Sequence, residues 1–498
     1  MHFRIQLIAV SNDGTERLHE IADVSRPETT LETLGLTLDE SKQILQSLQR
    51  TIIDHQVGAY LDQYRACPDC GKHRQLKQSD TAPFRTLFGL VSVPNPRWEQ
   101  CDCQPHTAKT VRPLTTLLSD RTSPELRYLE TKWASLASYG VTTKLLHEVL
   151  PIDHKHSEIT VRNHTLQAAR RSEQALGKEQ AMFVDGCQAE RDRLPIPDGP
   201  LSVGLDGGIV RARRGTTGAK TANLFEVIAG KSILSFRRDD PEDVPPSSKC
   251  FALVQSIDKK SKRRLFDLLT SQGMQANQQV TFFSDGGENV RRLPEYLNPE
   301  AEHILDWFHL TMRLTVLQQC ARGLPNLNSS TTVSATTHEE CLERRLESVK
   351  HYLWHGNSAR ALDRLRDVED ELEGWGYDDN GELNPQAGND AAARMLKYAR
   401  ELDTYITNNA GSIVNYGERY RNGERISTGF VESTINQVVS KRMVKKQQMQ
   451  WTPEGAHLLL QVRTQVINED WEATFRSWYP GFRPVPTPAA MSQQVAAA

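Results

Sequence analysis

The sequence predicts a mixed α/β chain of several domains, on three observations. Residues 201–310 read as strands interleaved with helical patterns, residues 311–410 read as helix almost throughout, and residues 67–103 read as a hairpin carrying four cysteines. The length agrees, since 498 residues at about 150 per domain make roughly three domains. Hydrophobic residues at 38% and charged residues at 25% are enough for real cores under a large polar surface. Sixty basic against 63 acidic residues give a net charge of −3, which excludes a uniformly basic chromatin-type protein and a strongly acidic disordered one. Any nucleic-acid surface must therefore be local. The mean hydropathy is −0.55 and no long apolar run occurs, so a membrane span is excluded. The start Met-His-Phe-Arg-Ile-Gln lacks the basic region and apolar core of a signal peptide, which makes the cytoplasm the expected compartment.

In chain order, residues 1–60 are expected to form an N-terminal helical region. A short apolar alternation (Phe3, Ile5, Leu7, Ala9) precedes a helical recurrence of Leu34, Leu36, Leu38, Ile44, Leu45 and Leu48 over residues 30–50. In residues 61–110, Leu87, Leu90, Val91 and Val93 beside Gly89 suggest a β-hairpin. Residues 111–178 carry three apolar-periodic runs, at 126–136, 142–150 and 158–169, broken at Ser138-Tyr139-Gly140 and Pro151-Ile152-Asp153. A helix-turn-helix with Thr160, Arg162, Asn163, His164 and Gln167 on its third helix fits this pattern, and so does a plain helical bundle. Strand patterns follow at 201–210, 223–234, 250–257, 278–286 and 303–308, with helical patterns at 260–271, 287–296 and 310–319. Three hairpin-like strands followed by alternating helix and strand indicate a mixed sheet. The first part of this core is placed at 179–310, a helical insertion at 311–415, a second part with a helix at about 429–443 in residues 416–475, and a disordered tail at 476–498.

Three motifs carry chemistry. In Cys67-x-x-Cys70 and Cys101-x-Cys103, two thiolate pairs at the ends of a hairpin can converge on a tetrahedral structural zinc, with His106 as a substitute ligand. Four free cysteines in a loop-rich segment is the plainer reading. The second motif is a set of acids. Asp206 and Asp285 follow apolar strand patterns and precede Gly-Gly pairs that allow close approach to the backbone. Glu432 lies on a helix whose inner face is Val431, Ile435, Val438 and Val439, with Ser427 or Thr428 as N-cap and Asn436 one turn on. Such hard, anionic oxygen donors are what a pair of Mg²⁺ ions needs, with Mn²⁺ as a substitute, although each acid alone reads more simply as a turn or surface carboxylate. The third motif is local positive charge. Arg211, Arg213, Arg214 and Lys220 occupy the first hairpin, and Arg419, Arg421, Arg425, Lys441, Arg442, Lys445 and Lys446 face three glutamates in residues 411–450. Beside the acids, phosphate contact is the expectation for both runs. His154 and His156 are expected to cap or flank the third helix, and Cys187 and Cys250 to pack as small hydrophobes.

The texts VGLDGG, FFSDGGENVRRL, ILDWFHLTMRL and GFVESTINQVVSKRM resemble those of the ISKra-type insertion-sequence transposases, within the Mutator-like DDE superfamily. The cysteine segment with RTLFGLVSV is similar to that family's zinc-ribbon region, so the resemblance spans about residues 60–470. It implies an RNase H-like catalytic core, an all-helical insertion before the glutamate, and a triad of Asp206, Asp285 and Glu432. The family's acid-x-x-His element corresponds to Asp306 and His309, for which a role in positioning DNA stands beside a plain helix cap or salt bridge. The tight Cys101-x-Cys103 pair and the unmatched ends depart from the family pattern. The implied activity is metal-dependent strand cleavage and strand transfer at terminal inverted repeats. The partners are double-stranded target DNA and at least a second copy of the chain, in a bacterial, nucleoid-associated cytoplasm. A nuclease or resolvase that does not join strands, and a zinc-dependent DNA-binding protein derived from a transposase, share these features.

Overall fold

The computed structural model describes all residues except 12, 104–108, 185–186, 198, 200, 214–223, 235–246, 288–296, 298–300, 325–341, 377–388, 445–448 and 485–498. The chain forms two compact units, Met1–Glu173 with Gln465–Ala498, and Gln174–Thr464.

The first unit starts with an antiparallel hairpin of β1 (His2–Val10) and β2 (Glu16–Ser25), turned at Gly14 with φ +82°. Residues 1–60 are thus not helical from residue 30. Gly35 adopts φ +83°, and the Arg26 guanidinium reaches the Gly35 carbonyl at 2.7 Å and Glu40 Oε1 at 2.8 Å, which pins the intervening turn. Helix α1 (Leu38–Arg65) begins only where Thr37 and Glu40 form a capping box. Ile53, Val57 and Leu61 of α1 pack on Ala82, Val91, Val93 and Trp98 of β3 (Leu76–Thr86) and β4 (Gly89–Glu99). The expected boundary at residue 60 therefore runs through one shared core. A short β5 (Thr110–Val111) extends this sheet and α2 (Leu114–Leu117) follows it.

The three expected helices are α3 (Pro124–Leu136), α4 (Tyr139–Val149) and α5 (Glu158–Ala175), the first two capped by Ser123 and Ser138. A helix at Trp471–Trp478 belongs to this same unit: Trp471 Nε1 donates to Thr131 Oγ1 at 3.0 Å, and Phe475, edge-on, and Phe482, tilted, pack against the Tyr128 ring. Two expectations change here. Residues 471–475 are not part of the second half of the core, and residues 476–484 of the expected tail are ordered, because Phe482 is buried and Arg483 pairs with Glu125 at 2.9 Å.

The second unit opens with the short α6 (Gln188–Arg191) and is built on a five-stranded sheet of order β10-β9-β6-β7-β8. β6 (Leu201–Arg211), β7 (Leu224–Leu234) and β8 (Ser247–Val254) are antiparallel, whereas β9 (Val280–Ser284) runs parallel to β6 and β10 (Glu302–Leu305) parallel to β9. Side chains alternate along β6. Leu201, Val203 and Leu205 share a core with Leu265 and Leu269 of α7 (Ser261–Ser271). Ser202, Gly204, Asp206 and Gly208 therefore face the opposite side of the sheet.

β10 leads directly into α8 (Trp307–Arg322), and α9 (Leu342–Trp354), α10 (Ser358–Gly376) and α11 (Asn389–Asn409) complete a helical layer. Its apolar stripes, among them Leu314, Leu346, Leu365 and Leu396, share one core with Phe283, Ile304 and Leu305 of the sheet. After α12 (Tyr416–Arg421) the chain returns to the Asp206 face through α13 (Gly429–Ile435), which passes into a π-helical stretch, Asn436–Val444, rather than the expected continuous α-helix. The Arg463 guanidinium on α14 (Pro453–Ile467) donates to the Val438 carbonyl at 2.7 Å and to that of Gln437, satisfying oxygens of the widened turn. The expected helix at 287–296 lies almost wholly outside the described residues.

Candidate active site and thiol cluster

In the first unit the hairpin brings the two cysteine pairs together. Gly71, at φ +73°, closes a knuckle in which the Gly71 N–H donates to the Cys67 carbonyl at 2.9 Å. The Cys67–Cys103, Cys70–Cys101 and Cys101–Cys103 sulfurs are each 3.4 Å apart, and all four lie within 4.8 Å of one another. A tetrahedral zinc with bonds of about 2.3 Å would need sulfurs about 3.8 Å apart, so this cluster could hold such a metal. Backbone N–H groups, led by that of Cys70, lower the Cys67 thiol to about 7, the direction a metal-binding thiolate requires. Its thiol neighbours, Cys101 foremost, push Cys103 up, as expected for sulfurs crowded together without a cation between them. His106 lies outside the described residues.

In the second unit, β6 ends its buried run at Asp206, whose Oδ1 accepts from the Gly207 N–H at 2.7 Å. Glu432 is carried to the same face because α13 packs flat on β6. A Cβ on Gly204 would fall 2.0 Å from Val431 Cγ2, and one on Gly208 would lie 3.6 Å from Ile435 Cγ2. The expected reason for the Gly207-Gly208 pair was ligand access. Gly204, two residues before Asp206, is a further position, where the helix demands a bare backbone.

Asp285 follows β9, in register with the start of β6. Its carboxylate accepts from the Gly287 N–H at 3.0 Å, while its carbonyl accepts from the Tyr405 hydroxyl of α11 at 2.7 Å. Gly286 has φ +77°, and a Cβ there would strike Asn409 Oδ1 at 2.5 Å. Burial is the main force raising the Asp206 carboxyl above its ordinary range; the Gly207 N–H and His309 oppose the rise, and the charges of Asp285 and Glu432 add to it. Asp206 therefore lies within electrostatic reach of both partner acids and of His309. Among the described residues, the four thiols are the set of metal-ligand-type side chains whose donor atoms converge, within 4.8 Å of one another. A divalent cation held beside Asp206 would relieve the burial and repulsion that act on it.

The expected phosphate contacts divide. Arg211, Arg213 and Lys441 are exposed, Arg211 and Arg213 at the far end of the Asp206 strand, where the Arg213 N–H donates to the Trp451 carbonyl at 2.9 Å. Arg214, Lys220, Lys445 and Lys446 lie outside the described residues. Arg442 contradicts the expectation: it is fully buried on the inward face of the π-helical stretch, with its guanidinium 5.1 Å from the Trp451 ring centroid. Arg419 is engaged by Glu302 and by Glu424 at 2.9 Å. Asp306 is likewise fully buried and cannot reach a phosphate. Its Oδ1 accepts from the Phe308 N–H at 2.8 Å as the N-cap of α8. His309, one turn on, is mostly buried, and its Nε2 is 3.6 Å from Asp306 Oδ2, beyond a hydrogen bond.

Three features escaped the sequence reading. Tyr405 and Arg313, whose guanidinium lies 4.3 Å from the Tyr405 ring centroid, line a groove of about 760 Å³ beside Asp285 with Lys397, Arg400 and Glu401. Thr428 meets Asp306 across the insertion. In the first unit, the fully buried Glu130 bridges His156 Nε2 and His164 Nδ1, each at 2.5 Å, so His164 is committed to the interior. The signal for Glu130, a lone acid on the apolar stripe of α3, was present in the sequence.

No family model matches the chain, and no curated protein matches it.

Proposed function

We propose that this chain is a DDE-type DNA transposase of the ISKra-like, insertion-sequence kind, with an RNase H-like catalytic core. The observation that carries the reading is that Asp206 feels the charge of both Asp285 and Glu432, with the Glu432 helix packed against the Asp206 strand at Gly204. The element order supports it: three antiparallel strands, a helix, a fourth strand ending in an acid, a helical layer and a late helix bearing the glutamate.

Asp206, Asp285 and Glu432 would hold two Mg²⁺ ions. Bound there, the ions would supply Lewis acidity and lower the pKa of bound water or of a 3′-hydroxyl. The chain's own groups do the placing. Tyr405 fixes the carbonyl of Asp285, the Gly207 N–H orients Asp206, and α13 presents Glu432. Arg211, Arg213 and Lys441, with Arg313 and Lys397 of the groove, offer positive charge to phosphates near these acids. The thiol cluster would hold structural zinc, and the first unit, with Arg162, Asn163 and Gln167 exposed on α5, would read terminal inverted repeats. Bringing two ends together requires at least a dimer on DNA, in the bacterial cytoplasm.

Asp206→Asn tests the reading with pre-cleaved and uncleaved end DNA. Cleavage and strand joining should fall at least 1,000-fold, on the order seen when an essential catalytic group is removed, with DNA affinity retained. Hydrolysis without joined product in the wild type would leave a nuclease, and unchanged activity in the variant would remove the catalytic reading altogether.

A further inference from the structure

We propose that Asp306 is a positioning residue that ties the Asp285 turn to the Glu432 helix, rather than a group that contacts DNA. The inference rests on the catalytic reading above. Glu432 enters the site only after the whole helical insertion, so something must return the chain to a defined point. Asp306 bonds in three directions from that point. Its N–H donates to the Ser284 carbonyl at 2.9 Å, one residue before Asp285. Its Oδ1 accepts from the Phe308 N–H at 2.8 Å, and its Oδ2 accepts from the Thr428 hydroxyl. Beside it, the Trp307 N–H donates to the Ile426 carbonyl at 3.2 Å.

Thr428 is the residue before α13. Its hydroxyl forms no cap bond within its own helix, although a threonine there ordinarily accepts from the first turn. The hydroxyl is committed to Asp306 instead. Thr428 and Asp306 are both buried, at 1% and 0% exposure, so neither is free to meet a substrate. The Thr428 carbonyl accepts from the Val431 N–H at 2.7 Å, so any shift at Thr428 passes into the turn that carries Glu432. Asp306 thus fixes the separation between two donors of the same cation site through bonds within the protein.

The test is a double-mutant cycle on the full chain with Asp306→Asn, Thr428→Val and the pair, plus Thr428→Ser as the conservative control. Mn²⁺ alone is titrated by calorimetry, affinity for a duplex is measured in chelator, and melting is followed in parallel. Each single variant should weaken Mn²⁺ binding about tenfold, and the double variant should be no weaker than the worse single, since both remove one shared bond. Thr428→Ser should bind Mn²⁺ as the wild type does, and duplex affinity in chelator should be unchanged throughout. Lowered melting with unchanged Mn²⁺ affinity would reduce Asp306 to a helix cap, and loss of duplex affinity at constant Mn²⁺ affinity would return it to DNA contact. Either result overturns the proposal. If Asp206→Asn and Asp285→Asn bind Mn²⁺ as the wild type does, the catalytic reading fails and this one with it. If those two lose Mn²⁺ affinity and Thr428→Val does not, this proposal alone fails.

Discussion

The thiol cluster and the carboxylate set are both groups of metal-type donors, yet they are built in opposite ways. The thiols come from two short pairs joined by one hairpin, and their sulfurs already lie within 4.8 Å of one another. The carboxylates come from a strand, a strand end and a helix beyond the insertion, and Asp206 is raised by burial and by its partners' charge. Neutral thiols tolerate close approach without a cation, whereas carboxylates repel until one is present. A local site can thus be shaped by its own turn, while a dispersed one depends on packing elsewhere in the fold, here at Gly204 and Asp306.

The largest effect that sharpens this contrast is expected at the thiols. Structural zinc sites contribute about 10–16 kcal/mol of apparent binding energy in small modules. Cys67→Ser should therefore lose stoichiometric zinc and unfold the hairpin module, read by metal analysis and by proteolysis within residues 61–110. A protein purified without zinc and equally protease-resistant would break the comparison from its local side. On the dispersed side, Gly204→Ala places a methyl carbon against Val431 and should displace α13. The expected cost is about 1–3 kcal/mol of stability by overpacking, together with a loss of cleavage out of proportion to the lowered melting temperature. Full activity in that variant would show that Glu432 is not held by this contact.

The smallest effect concerns Glu130 and its two histidines. Burial is the main cause lowering the His156 pKa below its ordinary 6.5; Glu130 and Asp153 oppose this, and His147 and His164 add to it. His156 Nδ1 has no hydrogen-bond partner, which suits the neutral ring. A histidine with a depressed folded-state pKa leaves the unfolded chain binding more protons. Its stability contribution is therefore present above about 6.5 and is lost as pH falls toward the lowered value. The melting temperature should drop between pH 7.5 and 5.5, and by less in His156→Gln; a wild-type curve that is flat or rises on acidification would refute this.

Much of this molecule was legible in the chain. Short apolar runs bounded by turn residues located β6 and β9, and apolar periodicity located α3, α4, α5 and the insertion helices, because run length and the 3.6 period are local properties of the chain. The cysteine pairs were legible for the same reason, since a knuckle and a hairpin close over short distances. The β1–β2 hairpin was half hidden, because its second strand, ERLHEIADVS, is mostly polar and exposed and carries little alternation. Other assignments needed the folded chain. Lys441 and Arg442 are neighbours of equal charge, yet one is exposed and the other is buried against Trp451. Asp306 read equally well as a cap or a DNA contact until Thr428 was seen to meet it. Residue type and spacing determined which donors this protein has and which faces its elements bury. Tertiary structure alone decided which charges face outward and how the Glu432 helix meets the Asp206 strand, because those depend on contacts between residues separated by the entire insertion.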